Sequence, residues 1–326
     1  MKRTPEFIDV RAVEAWDTWF RWREHGELKD VSVQDTWARI ARALATPSIE
    51  QPLLDALETW KLLPDERIVA TAGTGSDAWP DNELAAVINV AAFVVERGSY
   101  GTSLDLVGIE RTASLAVRAL EIAVERAPRR SAGAGQKLRV GMMGFADALA
   151  LLGIPYASDD ACLLVREISR CIAMGCLESS IDLARLLGQR SHPDTSHSWS
   201  RISSTLTTEL TGKALRHGLR HHELTAVRSH ARLAMMANNV ADAVDPLAIA
   251  GDFAAVGARA NRAAGSQGYA LEWARRQGAN AGLLQAMMDG AQASVQAKAA
   301  LRRAAQEWVD EPVDHPPWTP VTPADA

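Results

Sequence analysis

The side chains best suited to binding chemistry are basic and lie between residues 216 and 232, in RHGLRHHELTAVRSHAR. Guanidinium and imidazolium groups hold anions through charge-assisted hydrogen bonds. We therefore predict a ligand-binding site for a small anion at Arg220, Arg228, His230 and Arg232. The same segment also suits a solvated helix face, because Arg228 and Arg232 are four residues apart and RSHARLAMM has helical spacing. The spacing favours this second interpretation.

A histidine-rich stretch overlaps the basic segment. His217 and His221 are four residues apart, a spacing that lets two imidazoles of one helix bind a metal ion. Two ligands are too few for a metal site, and the nearest carboxylate, Glu223, is expected to face another direction. A surface or core role is therefore the favoured interpretation. We predict no metal site, and the sequence assigns neither a catalytic residue nor a cofactor.

The three cysteines of the chain, Cys162, Cys171 and Cys176, fall in one segment, DDACLLVREISRCIAMGCLESS. On a helix that turns by about 100° per residue, Cys162 and Cys171 point to opposite sides, and Cys176 is well separated from Cys171. The three thiols therefore cannot pair with one another or form a metal site. We expect them to be small apolar fillers of a buried helix.

Composition and charge argue against several classes of partner. The 326 residues carry a net charge of −5 and the sequence pI is about 5.9, so no overall positive field favours nucleic acid or an anionic membrane. No stretch approaches the ~20 apolar residues of a membrane span. The first residues are interrupted by charges and do not look like a signal peptide. We expect a cytoplasmic protein with no membrane and no nucleic-acid partner.

Helical periodicity dominates the chain. Apolar residues recur at three- and four-residue spacing in VQDTWARIARALA, in SLDLVGIERTASLAVRALEIAVERA, in the cysteine-bearing segment and in GLLQAMMDGAQASVQAKAALRRAAQEWVD. Strand candidates are few and short, at residues 67–73, 85–94 and 138–144. The pattern predicts a mainly α fold with a small sheet.

One segment carries a more specific signal. KLRVGMMGFADALALLGIPYASDDA, residues 137–161, reads as a strand, a glycine turn and a helix that Pro155 ends, with Gly141 and Gly144 permitting a tight backbone passage. The whole run resembles the large, catalytic subunit of ribonucleotide reductases, above all the adenosylcobalamin-dependent type. LAAVINVAAFV, HGLRHHELTAV and AVDPLAI resemble further parts of that subunit in the same order. The resemblance covers most of residues 28–315, in segments.

The resemblance implies a mainly α protein that is a reduced relative of the reductase α/β-barrel scaffold, with only a few short strands. It implies an N-terminal helical region at residues 1–80, a mainly helical remnant of the barrel region at 81–311 and a flexible proline-rich tail at 312–326. The family's ten-stranded barrel cannot close with three or four strands, so helices or another subunit must cover the sheet edges. This need favours a homodimer.

The sequence also departs from the family. The resemblance implies a thiyl-radical cysteine and a reducing cysteine pair, but Asp77, Ala78 and Trp79 stand where the first cysteine of that pair is expected. TAGTGSDAWPDN runs almost directly into LAAVINV, so the block that would contain the radical-bearing loop is missing. The family's phosphate loop is rich in hydroxyl groups, whereas the matching residues 229–234 read Ser-His-Ala-Arg-Leu-Ala. Basic groups have taken the place of hydroxyl donors.

Functions from different classes remain open. The first is a ribonucleotide-reductase-like protein that cannot carry out thiyl-radical reduction by itself and that binds a nucleotide-like or other small anionic ligand, or a partner protein. The second is an enzyme with repurposed non-thiyl chemistry in a biosynthetic pathway, metal-assisted or with histidines as acid–base groups. A third is an accessory subunit that docks on a complete reductase.

Overall fold

The computed structural model describes residues 7–76, 79, 84–96, 101–126, 137–193, 196–202, 206–246, 268–276, 290 and 292–313. Helices make up most of these residues and the strands are short, so the predicted mainly α fold is confirmed. No described helix combines the length and the apolarity needed to cross a bilayer.

The helices include the predicted ones. They are α1 (Val10–Trp19), α2 (Val33–Leu44), α3 (Glu50–Glu58), α4 (Glu66–Thr71), α5 (Leu106–Arg126), α6 (Phe145–Leu152), α7 (Asp159–Leu187), α8 (His197–Ile202), α9 (Thr208–His217), α10 (Ala231–Met236), α11 (Tyr269–Arg276) and α12 (Val295–Gln306), with a 3-10 turn at Val90–Phe93. Three of the predicted helices correspond to α2, α5 and α7. The fourth is confirmed only as α12, because residues 281–289 and 291 lie outside the described residues.

The strands form one four-stranded sheet and two small hairpins. They are β1 (Arg23–Glu24), β2 (Glu27–Leu28), β3 (Leu62–Pro64), β4 (Leu84–Asn89), β5 (Val94–Glu96), β6 (Thr102–Leu104), β7 (Lys137–Met143) and β8 (Glu223–Thr225). The four-stranded sheet has the order β3-β4-β7-β8. Strands β4, β7 and β8 are parallel, and β3 is antiparallel to β4. Parallel neighbours need crossover connections, which α5 provides between β4 and β7.

The strand predictions were only partly right. The strand predicted at 138–144 is confirmed as β7, and the one at 85–94 ends at Asn89, where the 3-10 turn begins. The strand predicted at 67–73 is wrong, because Asp65 caps a helix there by accepting a hydrogen bond from the backbone N–H of Arg67 at 2.9 Å. Strand β8 was missed, since three residues are too few to show an alternating pattern.

The packing of α5 against α7 lies at the centre of the molecule. At Gly175 in α7 a Cβ atom would lie 2.1 Å from the carbonyl oxygen of Glu110, so only glycine lets the two helices approach this closely. One hydrophobic cluster extends from α1 to the residues after α12. Cys171 and Cys176 are buried in it, as predicted. The cluster includes residues on both sides of residue 80, and the division there remains a prediction.

The outer edge of β8 is covered by the chain's own C-terminal region. One carboxylate oxygen of Asp310 accepts hydrogen bonds from the backbone N–H groups of Leu224 at 2.9 Å and Thr225 at 3.0 Å, and from the Ser198 hydroxyl at 2.5 Å. The backbone N–H of Glu311 donates to the Thr225 carbonyl oxygen at 3.2 Å. This edge therefore needs no second subunit. The homodimer stays a prediction, and the covered edge of β8 gives no argument for it.

Strand β7 passes into α6 through Gly144, as the glycine pattern predicted. Gly144 has a left-handed φ of 71°, and its N–H donates to the carbonyl oxygen of Ala241 at 2.7 Å. A Cβ atom there would stand 2.4 Å from Oδ1 of Asn89, which ends β4. The turn therefore requires glycine for two reasons, the backbone conformation and the close approach of Asn89.

We expect Asp310→Ala to lower the free energy of unfolding by about 3 kcal/mol, because it leaves two buried backbone N–H groups without their charged acceptor. Urea unfolding followed by circular dichroism measures this loss. Glu307→Gln is the matched control, since Glu307 pairs with Arg166 while both side chains are nearly half exposed. Its loss should be much smaller. Equal losses in the two variants would contradict the proposed role of Asp310.

We expect Gly144→Ala to destabilise the protein by about 2 kcal/mol more than Gly153→Ala, because it adds a steric clash. Gly153 has the same φ of 71°, but no atom lies within 4 Å of the place where its Cβ would stand. Both variants carry the cost of a left-handed alanine, about 1–2 kcal/mol. Only Gly144→Ala also displaces Asn89. Identical urea midpoints for the two variants would rule out the close approach.

Candidate functional site

The carboxyl ends of the three parallel strands lie side by side. Asn89 ends β4, Gly144 follows β7, and residues 226–245, here called the strand-end segment, follow β8. In open parallel sheets, ligands bind outside the carboxyl ends of the strands, where each strand passes into the loop that follows it. Residues 237–245 are all buried, so this part of the strand-end segment is part of the core.

Buried aspartates fix the backbone of the strand-end segment. Asp147 of α6 accepts hydrogen bonds from the N–H groups of Ala241 at 2.6 Å and Ala270 at 3.0 Å. Asp242 accepts from the Ser229 hydroxyl at 2.6 Å and from the backbone N–H of His230 at 2.9 Å. Charged acceptors form stronger hydrogen bonds than neutral ones. The start of α10 is therefore held in one position.

The same segment contains an unusual backbone. Asn238, Asn239 and Ala243 have φ values of 64°, 58° and 50°, in the region that favours glycine. The side chain of Asn238 accepts a hydrogen bond from the backbone N–H of Ile8 at 2.7 Å, which ties the N-terminal region to the segment. Residues held in such conformations cost about 1–3 kcal/mol each and often lie at functional sites.

Asn89 is a polar residue that the sequence reading did not single out. It is buried, and its Oδ1 atom has no hydrogen-bond partner among the described residues. A buried acceptor without a donor costs about 1–3 kcal/mol. In the sequence, the one feature that indicates Asn89 is its position at the end of the apolar run AAVIN, where β4 ends.

Arg220, one of the four predicted anion contacts, lies inside the protein. Its Nε donates to Glu121 at 2.7 Å and its Nη2 to Glu125 at 2.9 Å. Its Nη1 donates to the carbonyl oxygens of Leu187 at 3.1 Å and Gly188 at 3.0 Å. All three guanidinium nitrogens are therefore directed at protein acceptors. The structure does not place Arg220 with the other three predicted residues.

His221 belongs to the same buried network. The hydroxyl oxygen of Ser180 accepts hydrogen bonds from the backbone N–H groups of Arg220 and His221, both at 3.1 Å. The hydroxyl hydrogen of Ser180 therefore donates to Nδ1 of His221 at 3.0 Å. Nε2 of His221 then donates to Glu121 at 3.1 Å. Burial lowers the pKa of His221, which keeps the ring neutral. Burial raises the pKa of Glu121, but hydrogen bonds from His221 and Arg220 outweigh it and lower that pKa.

His217 and His221 do not lie on one helix. Helix α9 ends at His217, and Gly218 follows with a left-handed φ of 72°. The i, i+4 geometry considered for a metal pair is therefore not present. Among the residues that the structure describes, no three His, Cys, Asp or Glu side chains are grouped as metal ligands.

Arg228, His230 and Arg232 all lie on the strand-end segment, but the side chain of Arg228 is directed at Glu311 and that of Arg232 at Glu66. Helix α10 begins at Ala231, so the solvated-helix interpretation applies to Arg232 but not to Arg228. Nε of Arg228 donates to Glu311 at 2.9 Å, and its side chain is 45% exposed. Burial raises the pKa of Glu311, but hydrogen bonds from Arg139 and Arg228 outweigh it and lower that pKa. The charge of Arg228 is thus partly neutralised.

The side chain of Arg232 is more exposed than that of Arg228. The Arg232 side chain is 59% exposed, and its Nη1 lies 3.6 Å from the carboxylate of Glu66, longer than a hydrogen bond. The guanidinium also stands over the ring of Trp19, 5.4 Å from its centre. Burial raises the pKa of Glu66, so this carboxylate holds its charge less firmly than an exposed one. Arg232 keeps donors available on its exposed side.

The sequence matches a model of a known protein family. The family model described as "Ribonucleotide reductase, barrel domain" matches residues 83–251. The matched region is more than half of the 326 residues and includes β4, α5, β7, β8 and the strand-end segment. The resemblance seen in residues 137–161 falls within it. The chain therefore belongs to the ribonucleotide reductase barrel-domain family.

Proposed function

We propose that this member of the family, related most closely to the adenosylcobalamin-dependent type, does not carry out thiyl-radical ribonucleotide reduction by itself. We propose instead that it binds a small anionic or nucleotide-like ligand at the strand-end segment. The proposal includes a homodimer in the cytoplasm. It rests on two features of the chain, the placement of its thiols and the placement of its basic residues.

The thiols are unsuited to the family's chemistry. Thiyl-radical reduction needs one cysteine to carry the radical and two more to supply electrons, but all three cysteines of this chain lie on α7. Cys171 and Cys176 are five residues apart, about 7.5 Å of helix rise. A disulfide does not span Cα atoms more than about 7 Å apart without backbone movement. A redox pair between them is therefore excluded by geometry.

Burial also suppresses the reactivity of these thiols. It raises the pKa of Cys171 to about 11 and the pKa of Cys176 well above its ordinary value. Only the thiolate is a good nucleophile, so neither group is a ready nucleophile at neutral pH. Cys171 and Cys176 lie in the hydrophobic core.

The proposed ligand site is supported chiefly by the position of the basic residues. Arg228, His230 and Arg232 follow β8 directly, at the edge where parallel sheets bind ligands. Asp242 fixes the backbone at His230, so binding an anion there requires no reordering of the start of α10. Arg232 serves as the principal anion contact because it is the more exposed, and Arg228 contributes less because Glu311 already engages it.

We expect Arg232→Ala to weaken the binding of AMP about tenfold or more, because it removes a charge-assisted hydrogen bond. Arg228→Ala should have a smaller effect. Isothermal titration calorimetry at low salt measures both. Arg216→Ala is the charge-matched control, since Arg216 is an exposed arginine on α9. Unchanged affinity in Arg232→Ala, or no saturable binding of AMP by the unmodified chain, would refute the site.

A further inference from the structure

A second region of the surface has the properties of a ligand site. A groove of about 450 Å³ lies between α3 and α5, beside the carboxyl end of β4; we call it the α3–α5 groove. The volume falls within the range of about 300–1,000 Å³ typical of small-molecule sites. No residue of the strand-end segment lines it. The sequence reading did not identify it, because its two walls are about fifty residues apart in the chain.

The groove has more positive than negative charge. Lys61, Arg111 and Arg118 line it, and Asp55 is the one carboxylate among its lining residues. Arg111 is exposed and has no carboxylate partner among the residues that the structure describes. Arg118 pairs with Asp182 at 3.4 Å, and both side chains are more than one-third exposed, so the pair is easily opened. The local charge therefore favours an anion.

Lys61 is held in place, and no carboxylate pairs with its ammonium group among the residues that the structure describes. Its backbone N–H donates to the carbonyl oxygen of Ala56 at 2.9 Å, and its own carbonyl oxygen accepts the N–H of Asn89 at 3.1 Å. The ammonium group stands 4.9 Å from the centre of the Phe93 ring. A cation over an aromatic face keeps its donors for a further partner. The preceding residue, Trp60, has a left-handed φ of 57°, which directs the chain from α3 into β3.

The opposite wall presents its cations from one helix face. Arg111, Ser114 and Arg118 are separated by three and four residues along α5, so their side chains share one side of that helix. The two arginines are seven residues apart, about 10.5 Å of helix rise. Ser114 supplies a hydroxyl group between them. An anionic group and a polar body of nucleotide size would match this spacing.

The remaining lining is apolar. Ile49, Pro52 and Ala56 face the groove from α3 and the residue before it, and Leu115 faces it from α5. A purely ionic ligand would gain nothing from these side chains, whereas an organic group would bury apolar surface against them. The lining thus combines cations for an anionic group with a wall for a carbon skeleton.

We infer that the α3–α5 groove binds a small phosphorylated organic molecule, with the phosphate group between Lys61 and Arg111 and the organic group against Pro52 and Leu115. Lysine and arginine are the usual phosphate ligands of proteins. This site goes beyond the function proposed above, and it uses different residues from a different part of the chain. It holds whether or not the strand-end segment binds an anion.

The test compares phenyl phosphate with inorganic phosphate by isothermal titration calorimetry. Phenyl phosphate should bind saturably to the unmodified chain, and its Arg111- and Lys61-dependent site should prefer it to inorganic phosphate about tenfold or more, because only phenyl phosphate buries apolar surface. Arg111→Gln and Lys61→Gln should each weaken phenyl phosphate about tenfold. Circular dichroism confirms that both variants are folded, and Arg111→Gln changes only an exposed helix residue.

Two controls separate this groove from the strand-end segment. Arg216→Gln removes an exposed arginine on α9 and should leave phenyl phosphate binding unchanged, whereas Arg232→Ala should retain the part of the binding that depends on Arg111 and Lys61. Unaltered affinity in folded Arg111→Gln and Lys61→Gln would overturn the inference. Loss of binding only in Arg232→Ala would also overturn it and would assign the phosphate to the strand-end segment. Absence of saturable binding by the unmodified chain would overturn it as well.

Discussion

Buried carboxylates that accept backbone N–H groups are the constraint on which this fold depends. A sheet with three parallel strands leaves N–H groups at its edge and at its carboxyl end that a closed barrel would pair with neighbouring strands. Asp310 accepts them at the edge of β8, and Asp147 and Asp242 accept them in the strand-end segment. Each such group left unpaired would cost about 1–3 kcal/mol. Carboxylates thus substitute here for missing strands.

Buried carboxylates also determine which basic residues lie in the core and which lie at the surface. Arg220 lies beside α5 and α7, where Glu121 and Glu125 neutralise it, so it stabilises the helix pair. A buried arginine without such partners would be strongly destabilising. Arg228 and Arg232 instead have exposed side chains. Asp242 fixes the backbone between them by accepting hydrogen bonds from Ser229 and His230. One residue of the basic segment is therefore structural, and others lie at the carboxyl-end edge of the sheet, where we propose the ligand site. Sequence charge alone does not distinguish these two roles.

The sequence predicted the elements whose signal is local. Helices α5 and α7 are long enough for their periodicity to be unambiguous, and the turn at Gly144 follows from its glycine. Features that depend on distant residues could not be predicted. Residues 67–71 carry a β-like composition that the Asp65 cap overrides, Arg220 meets Glu121 from 99 residues away, and the α3–α5 groove exists only once two helices pack. Strand β8 depends wholly on pairing with β7.

The central claim is that this family member keeps a ligand-binding frame without a redox-active dithiol. The most direct measurement is oxidation of the folded chain with diamide, followed by peptide mapping by mass spectrometry without reduction. We expect no intramolecular disulfide among the three cysteines, because Cys171 and Cys176 are buried and too far apart on α7, and alkylation of Cys176 only after unfolding. A stoichiometric disulfide that forms in the folded chain and is reversed by dithiothreitol would contradict the claim.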